Sequence, residues 1–179
     1  MIEAGYFPKR IARQGDRDVC SVSTCISHGP DDWVQHWRHN DLGWFNTRVD
    51  AQAVVPAGRE GEFRIFAYRL ADVFYRQGQR VPVEVPSDVQ PEPIPPNFVS
   101  LGFDAVGKTP SMGMLGFECS PLSCNGMSEE IPTNQWDLLP SIDEAHRAAE
   151  RFSIEQPEPG DYYVVEVLES VSAADAKSI

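Results

Sequence analysis

The sequence predicts an α+β fold, a two-layer arrangement of sheet with packed helices, on three observations. The C-terminal half holds a well-marked amphipathic helix, a run of β-branched and aromatic residues follows it, and a second apolar alternation lies in the N-terminal half. With 179 residues, 41% of them hydrophobic and 23% charged, the chain carries enough apolar surface for one compact domain.

Taken along the chain, residues 30–40 (PDDWVQHWRHN) read as a short helix. Proline and two aspartates occupy its first turn, where the helix dipole favours negative charge, and Trp33 and Trp37 fall one turn apart on one face. Residues 63–74 (FRIFAYRLADVF) begin as a half-buried strand, because Phe63, Ile65 and Ala67 alternate. From Leu70 to Tyr75 the pattern fits either a continued strand or a helical turn. Residues 81–96 (VPVEVPSDVQPEPIPP) hold six prolines, which remove amide donors and disfavour helix, so this segment should be extended and mostly outside regular ladders. It separates an N-terminal half, 1–80, from a C-terminal half, 97–179, within a single compact domain.

Residues 97–101 (NFVSL) read as a strand. The helix then starts at Ser141, with Glu144 completing a capping box, and Ile142, Ala145, Ala148, Ala149 and Phe152 recur on one face. Asp143, Arg147, Glu150 and Arg151 are left for water. Residues 162–168 (YYVVEVL) read as a central strand.

A further expectation is that the halves are diverged copies of one half-domain unit. Displacing the sequence by 99 positions superimposes Cys20 and Cys25 on Cys119 and Cys124, Trp37 on Trp136, and Gly61 on Gly160. Few columns are identical, but three of them pair the rare types cysteine and tryptophan, and the order of elements agrees.

The net charge of −12, with scattered lysines and arginines, argues against a nucleic-acid or anionic-membrane partner, since phosphate surfaces reward clustered cations. It suits a basic protein partner. No apolar run is long enough to span a bilayer and no signal-peptide pattern opens the chain, which places it in the cytoplasm with its cysteines as thiols.

Four constellations carry possible chemistry. Residues 102–109 match the phosphate-loop pattern, with Gly102, Gly107, Lys108 and Thr109 in its defining positions. That loop needs a helix to open at the threonine, and two glycines follow within the first turns, so nucleotide binding is the least favoured reading. Cys20, Cys25, Cys119 and Cys124 could complete a zinc shell if the halves bring them together, although strand spacing would point the two members of each pair to opposite faces. No cofactor is favoured, and zinc is the alternative. Cys119 or Cys124 could serve as a nucleophile with His36 as base, with His28 and His39 as further candidates, although Glu118 would oppose thiolate formation at Cys119. Trp33, Trp37, Trp44 and Phe45 concentrate aromatic area and form the expected partner-binding surface. The favoured function is therefore a non-catalytic binding or regulatory protein, with a cysteine or zinc enzyme as the alternative.

Overall fold

The computed structural model describes residues 1–22, 39–108, 117–122, 131–156 and 160–171. Among these, eight strands, two α-helices and a short 3-10 turn alternate along the chain. Strands β1 (Ile2–Arg10), β2 (Ala12–Gln14) and β3 (Arg17–Val19) come first, followed by helix α1 (Arg48–Ala53). Strands β4 (Phe63–Arg76), β5 (Gln79–Pro82), β6 (Phe98–Lys108) and β7 (Phe117–Cys119) lead to helix α2 (Ile142–Glu155) and strand β8 (Asp161–Ser170).

All pairings are antiparallel. The main sheet runs β1-β4-β8-β6-β7, with β5 added alongside β4, while β2 and β3 form a separate hairpin. Strands from both sides of the proline-rich segment thus interleave in one sheet, and β8 is central as its composition predicts. Residues 70–76 continue β4, because Leu70 pairs with both Ile2 and Val165 and residues 73–76 pair with β5. Across the middle of the sheet lies one row of residues: Gly5 faces Tyr68, Tyr68 faces Val167, and Val167 faces Gly102. Each outer strand is bulged beside its glycine.

Alternation along the strands sorts the core onto two faces. On one, Ala105, Tyr162 and Val164 pack with Ala145, Ala148, Ala149 and Phe152 of α2. Tyr6, Ile65, Ala67 and Leu168 pack there with Ala51, Val54 and Val55 in and after α1. On the opposite face Ala4, Phe66, Tyr68, Leu70, Val106, Val165 and Val167 are covered by Cys20, Val22, Leu42, Trp44, Val89 and Leu138, all from connecting segments. Fully buried Phe152 anchors α2, and its truncation to alanine removes about 3–5 kcal/mol of packing.

Both helices are capped in the same way. The Ser141 hydroxyl accepts from the Glu144 amide at 3.3 Å and donates to the Glu144 carboxylate at 2.9 Å. Thr47 does likewise with Asp50, at 3.0 and 2.6 Å. The predicted box thus forms with one change: the carboxylate accepts a hydrogen bond from the cap hydroxyl rather than from the cap residue's amide.

The loop before each helix is built on an asparagine. Asn40 donates from Nδ2 to the Ala4 carbonyl at 3.0 Å, and its Oδ1 accepts the amides of Leu42 and Trp44. Asn134 donates to the Leu101 carbonyl at 2.7 Å and accepts the amides of Trp136 and Leu138. Tyr6 and Phe45 then exchange two backbone hydrogen bonds, as do Phe103 and Leu139. These loops press so closely on β1 and β6 that a Cβ on Gly5 would sit 2.7 Å from the Phe45 carbonyl oxygen, and one on Gly102 2.8 Å from that of Leu139. Their φ values of +139° and +143° exclude other residues as well. The two loop asparagines are 94 positions apart, and Leu42 and Trp136 each donate an amide to the asparagine two residues before them.

Residues 81–96 lie outside the ladders after Pro82, as expected, but they are tied down. Val89 and Ile94 enter the core, the Asn46 side chain donates to the Asp88 carbonyl at 2.8 Å, and Glu92 donates its amide to the Asn46 carbonyl. The segment is a strap across the loop that carries Trp44.

Candidate functional site

Two places in the fold concentrate groups that packing alone does not require. The first lies on the face covered by connecting segments. Lys9 at the end of β1, Tyr68 on β4 and Asp104 on β6 are all buried there, together with Cys20, Ser21 and Ser120. Asp104 joins the two cysteine-bearing segments: its Oδ2 accepts the Val22 amide at 2.7 Å and its Oδ1 the Ser120 hydroxyl at 2.6 Å. Burial raises the Asp104 pKa, partly offset by these bonds and by the charge of Lys9. Burial also lowers Lys9 to about 8, with Asp104 acting in the other direction. Tyr68 is pushed up by burial, and its ring stacks on Trp44 at 4.7 Å between centroids.

Beside this centre, nearer solvent, Arg64 binds both carboxylate oxygens of Glu169, reaches Asp18 at 3.0 Å, and lies over the rings of Phe66 and Trp136. Arg17 of the β2-β3 hairpin reaches Asp137 at 3.1 Å and Thr133 at 2.9 Å, fastening the hairpin to the second asparagine loop. An open concavity of about 490 Å³ lies by Arg10, Arg13 and Arg64, but Arg13 and Arg64 are already answered by Asp18 and Glu169.

The second place is the outer edge of the strap. Residues 81–96 carry Glu84, Asp88 and Glu92 and no lysine or arginine. Asp41 and Asp50 belong to the loop and helix beneath, where Asp88 accepts the Asp41 amide at 2.9 Å and Glu92 the Arg48 amide at 2.7 Å. Among the described residues, Arg13, Arg17, Arg59, Arg64, Arg69, Arg76 and Arg151 all pair with carboxylates, but none of these pairs uses Asp41, Asp50, Glu84, Asp88 or Glu92. Val49, 74% exposed, and Val85, 41% exposed, stand among them.

Several expectations are corrected here. Trp44 and Phe45 are not a contact surface, because they are 4% and 1% exposed. Trp44 packs on Tyr68, Phe45 is held by its bonds to Tyr6, and the strap crosses their loop. Trp33 and Trp37 lie outside the described residues. The phosphate-loop pattern is also overturned: Gly102, Gly107 and Lys108 sit in β6, paired residue by residue with β8, so this stretch is extended strand and not an anion-cradling loop. Gly102 is needed for the approach of Leu139, not of a phosphate. Thr109 lies outside the described residues.

The thiol candidates are divided. Cys20 is buried and its pKa is raised to about 12, chiefly by burial, which is the reverse of what a nucleophile needs. Cys119 places its backbone in β7 opposite Gly107, while Cys25, Cys124, His28 and His36 lie outside the described residues. His39 contacts the Asn40 carbonyl at 3.0 Å through Nδ1. Among the described residues, no group of three or more His, Cys, Asp or Glu is placed to hold a metal ion.

Sequence reasoning missed Lys9, Tyr68, Asp104 and both loop asparagines. A signal existed for the last two: Asn40, Thr47 and Asp50 repeat the spacing of Asn134, Ser141 and Glu144. None existed for Lys9, whose burial depends on segments distant in the chain. No helix among the described residues is long and apolar enough to cross a membrane. No protein-family model, curated protein or solved structure matches this chain, so its own geometry carries the functional argument.

Proposed function

We propose that this protein is a non-catalytic binding or regulatory protein that acts in the cytoplasm and contacts a basic protein partner through the acidic edge of the strap. The observation that carries this reading is the set Asp41, Asp50, Glu84, Asp88 and Glu92. Three lie on the strap and two on the loop and helix to which it is tied, none in the ion pairs that answer the arginines, although Asp41 acts on Lys108; Val49 and Val85, beside Asp50 and Glu84 in the chain, are exposed. Carboxylates so placed steer a cationic partner, and the two valines offer apolar area at the contact. Complementary charge of this kind acts first on the rate of encounter.

The same proposal takes the chain as a two-layer domain made of two diverged copies, residues 1–80 and 97–179, joined by residues 81–96. Its support is the recurrence of one construction: bulged glycine, asparagine loop, hydroxyl-capped helix and returning strand. The direct pairing of Tyr68 with Val167, 99 positions apart, further supports a pseudo-twofold axis between β4 and β8. On this reading the strap, which joins the two copies, is the element that gives the domain its distinctive surface.

The test uses a 20-residue oligolysine peptide as basic probe and the purified full chain. The triple variant D41K/E84K/D88K should weaken binding at least tenfold, whereas D143K/E150K/E155K, equal in net charge change but placed on α2, should leave it within twofold. Equal loss in both variants would mean that bulk acidity alone attracts the probe, and the proposal would fall.

A further inference from the structure

On the loop-covered face of the sheet, two enclosed donors find no acceptor among the described residues. Lys9 Nζ and Tyr68 Oη are buried and have no hydrogen-bond partner among the described residues. They belong to one centre, because each interacts electrostatically with the same two neighbours, Cys20 and Asp104. Lys9 comes from β1, Tyr68 from β4, Asp104 from β6 and Cys20 from the segment following β3.

Asp104 is not their missing acceptor. Its two oxygens are taken by the Val22 amide and the Ser120 hydroxyl, and the Ala105 amide bonds to it as well. Its charge reaches Lys9, but no hydrogen bond joins it to either donor. Cys20, kept protonated by burial, is only a weak acceptor. An ammonium enclosed without an acceptor costs several kcal/mol, and a buried polar atom left in this state calls for a partner such as a water or an ion.

We propose that this centre is a binding site for a small monovalent carboxylate, of formate or acetate size, held by the Lys9 ammonium and the Tyr68 hydroxyl. A carboxylate supplies two acceptor oxygens, one for each donor, and a single negative charge that neutralises Lys9. Asp104, with its own charge close by, sets the limit at one: a divalent anion meets repulsion there that one ammonium does not offset. The row Gly5, Tyr68, Val167, Gly102 puts Tyr68 at the middle of the sheet, while Lys9 stands four residues beyond Gly5 on β1, opposite Arg64; Cys20 and Val22 cover this face, and Ser120 joins it through Asp104. Entry requires that cover to lift, so a bound carboxylate exchanges slowly.

Thermal unfolding of the full chain at pH 7 tests this, with sodium formate titrated at ionic strength held constant by sodium sulfate. The wild type should show a saturable rise in Tm of roughly 3–6 °C at tenfold saturation. Lys9→Met should abolish the formate dependence, and Tyr68→Phe should shift half-saturation about tenfold higher, the loss of one hydrogen bond to a charged group. A wild-type Tm that ignores formate, an undiminished rise in Lys9→Met, or a rise produced equally by chloride overturns the assignment. Should either variant fail to fold, carbon-13 formate added to the wild type decides alone: a distinct, slowly exchanging bound resonance is expected, and its absence at saturating formate refutes the site.

Discussion

Lys9→Met should make the protein more stable, because it removes a buried positive charge while keeping the side chain's length and most of its volume. In the fold the Lys9 pKa drops from 10.5 to about 8, chiefly through burial. At about 1.4 kcal/mol for each tenfold change in proton affinity, that drop amounts to roughly 3 kcal/mol of destabilisation when the amine is protonated in both states. The sign follows from proton counting. Below pH 8 both folded and unfolded chains hold the proton and the penalty is complete. Between pH 8 and 10.5 the unfolded chain still binds a proton that the folded one has released, so the stability of the wild type climbs relative to the variant. Above 10.5 the two converge. Cys20 and Tyr68 act in the opposite direction, since their folded pKa values are raised; both are present in each protein, and loss of the Lys9 charge only raises Cys20 further, so it stays protonated in either fold over this range. Urea unfolding at pH 7 and pH 10, in buffer free of small carboxylates, should show the variant ahead by about 3 kcal/mol at the first pH and by under about 1 kcal/mol at the second. A variant less stable than wild type at pH 7 would refute the reasoning, for it would mean that the ammonium has an acceptor in the folded chain.

Gly102→Ala should cost about 3 kcal/mol or more, because its φ of +143° is strained for alanine and its methyl group would lie 2.8 Å from the Leu139 oxygen. Gly15→Ala, at φ +61° with open space around it, should cost only about 1 kcal/mol; denaturant midpoints compare the two. Asn134→Ala leaves the Leu101 carbonyl and the Trp136 and Leu138 amides without their partner, for a loss of about 2–4 kcal/mol, and Asn134→Asp should recover only the accepting half, as calorimetry would show. Cys20 should resist alkylation by iodoacetamide in the native protein at pH 8 and react fully in 6 M guanidinium, read by peptide mass spectrometry; rapid native labelling would contradict its burial.

Elements whose signals are local were legible in the sequence. Helix α2 announces itself through Ser141, Glu144 and an apolar face of period 3.6, and β8 through a dense run of valine and tyrosine. Strand β4 was legible only in its first half, since Leu70 and Ala71 suit a helix as well as a strand, and pairing with β1, β5 and β8 decides between them. The aromatic density around Trp44 was visible, but its burial is imposed by a strap some 40 residues later. Gly102 satisfied a phosphate-loop pattern for an unrelated reason, the close passage of another backbone. Nothing in the sequence around Lys9 or Asp104 sets them apart. What makes them unusual is their shared enclosure, a property of tertiary packing across 95 positions of chain.

The pairing of β4 with β8 also constrains how the chain folds. The longest strand in the sheet, 14 residues, waits for a neighbour made almost a hundred residues later. During synthesis, one flank of β4 emerges as an unsatisfied ladder of amides and carbonyls, rich in Phe and Tyr and open to any other extended segment it meets. Such distant pairing slows folding, and a polypeptide interrupted before Asp161 would keep that ladder bare and clump with its own kind.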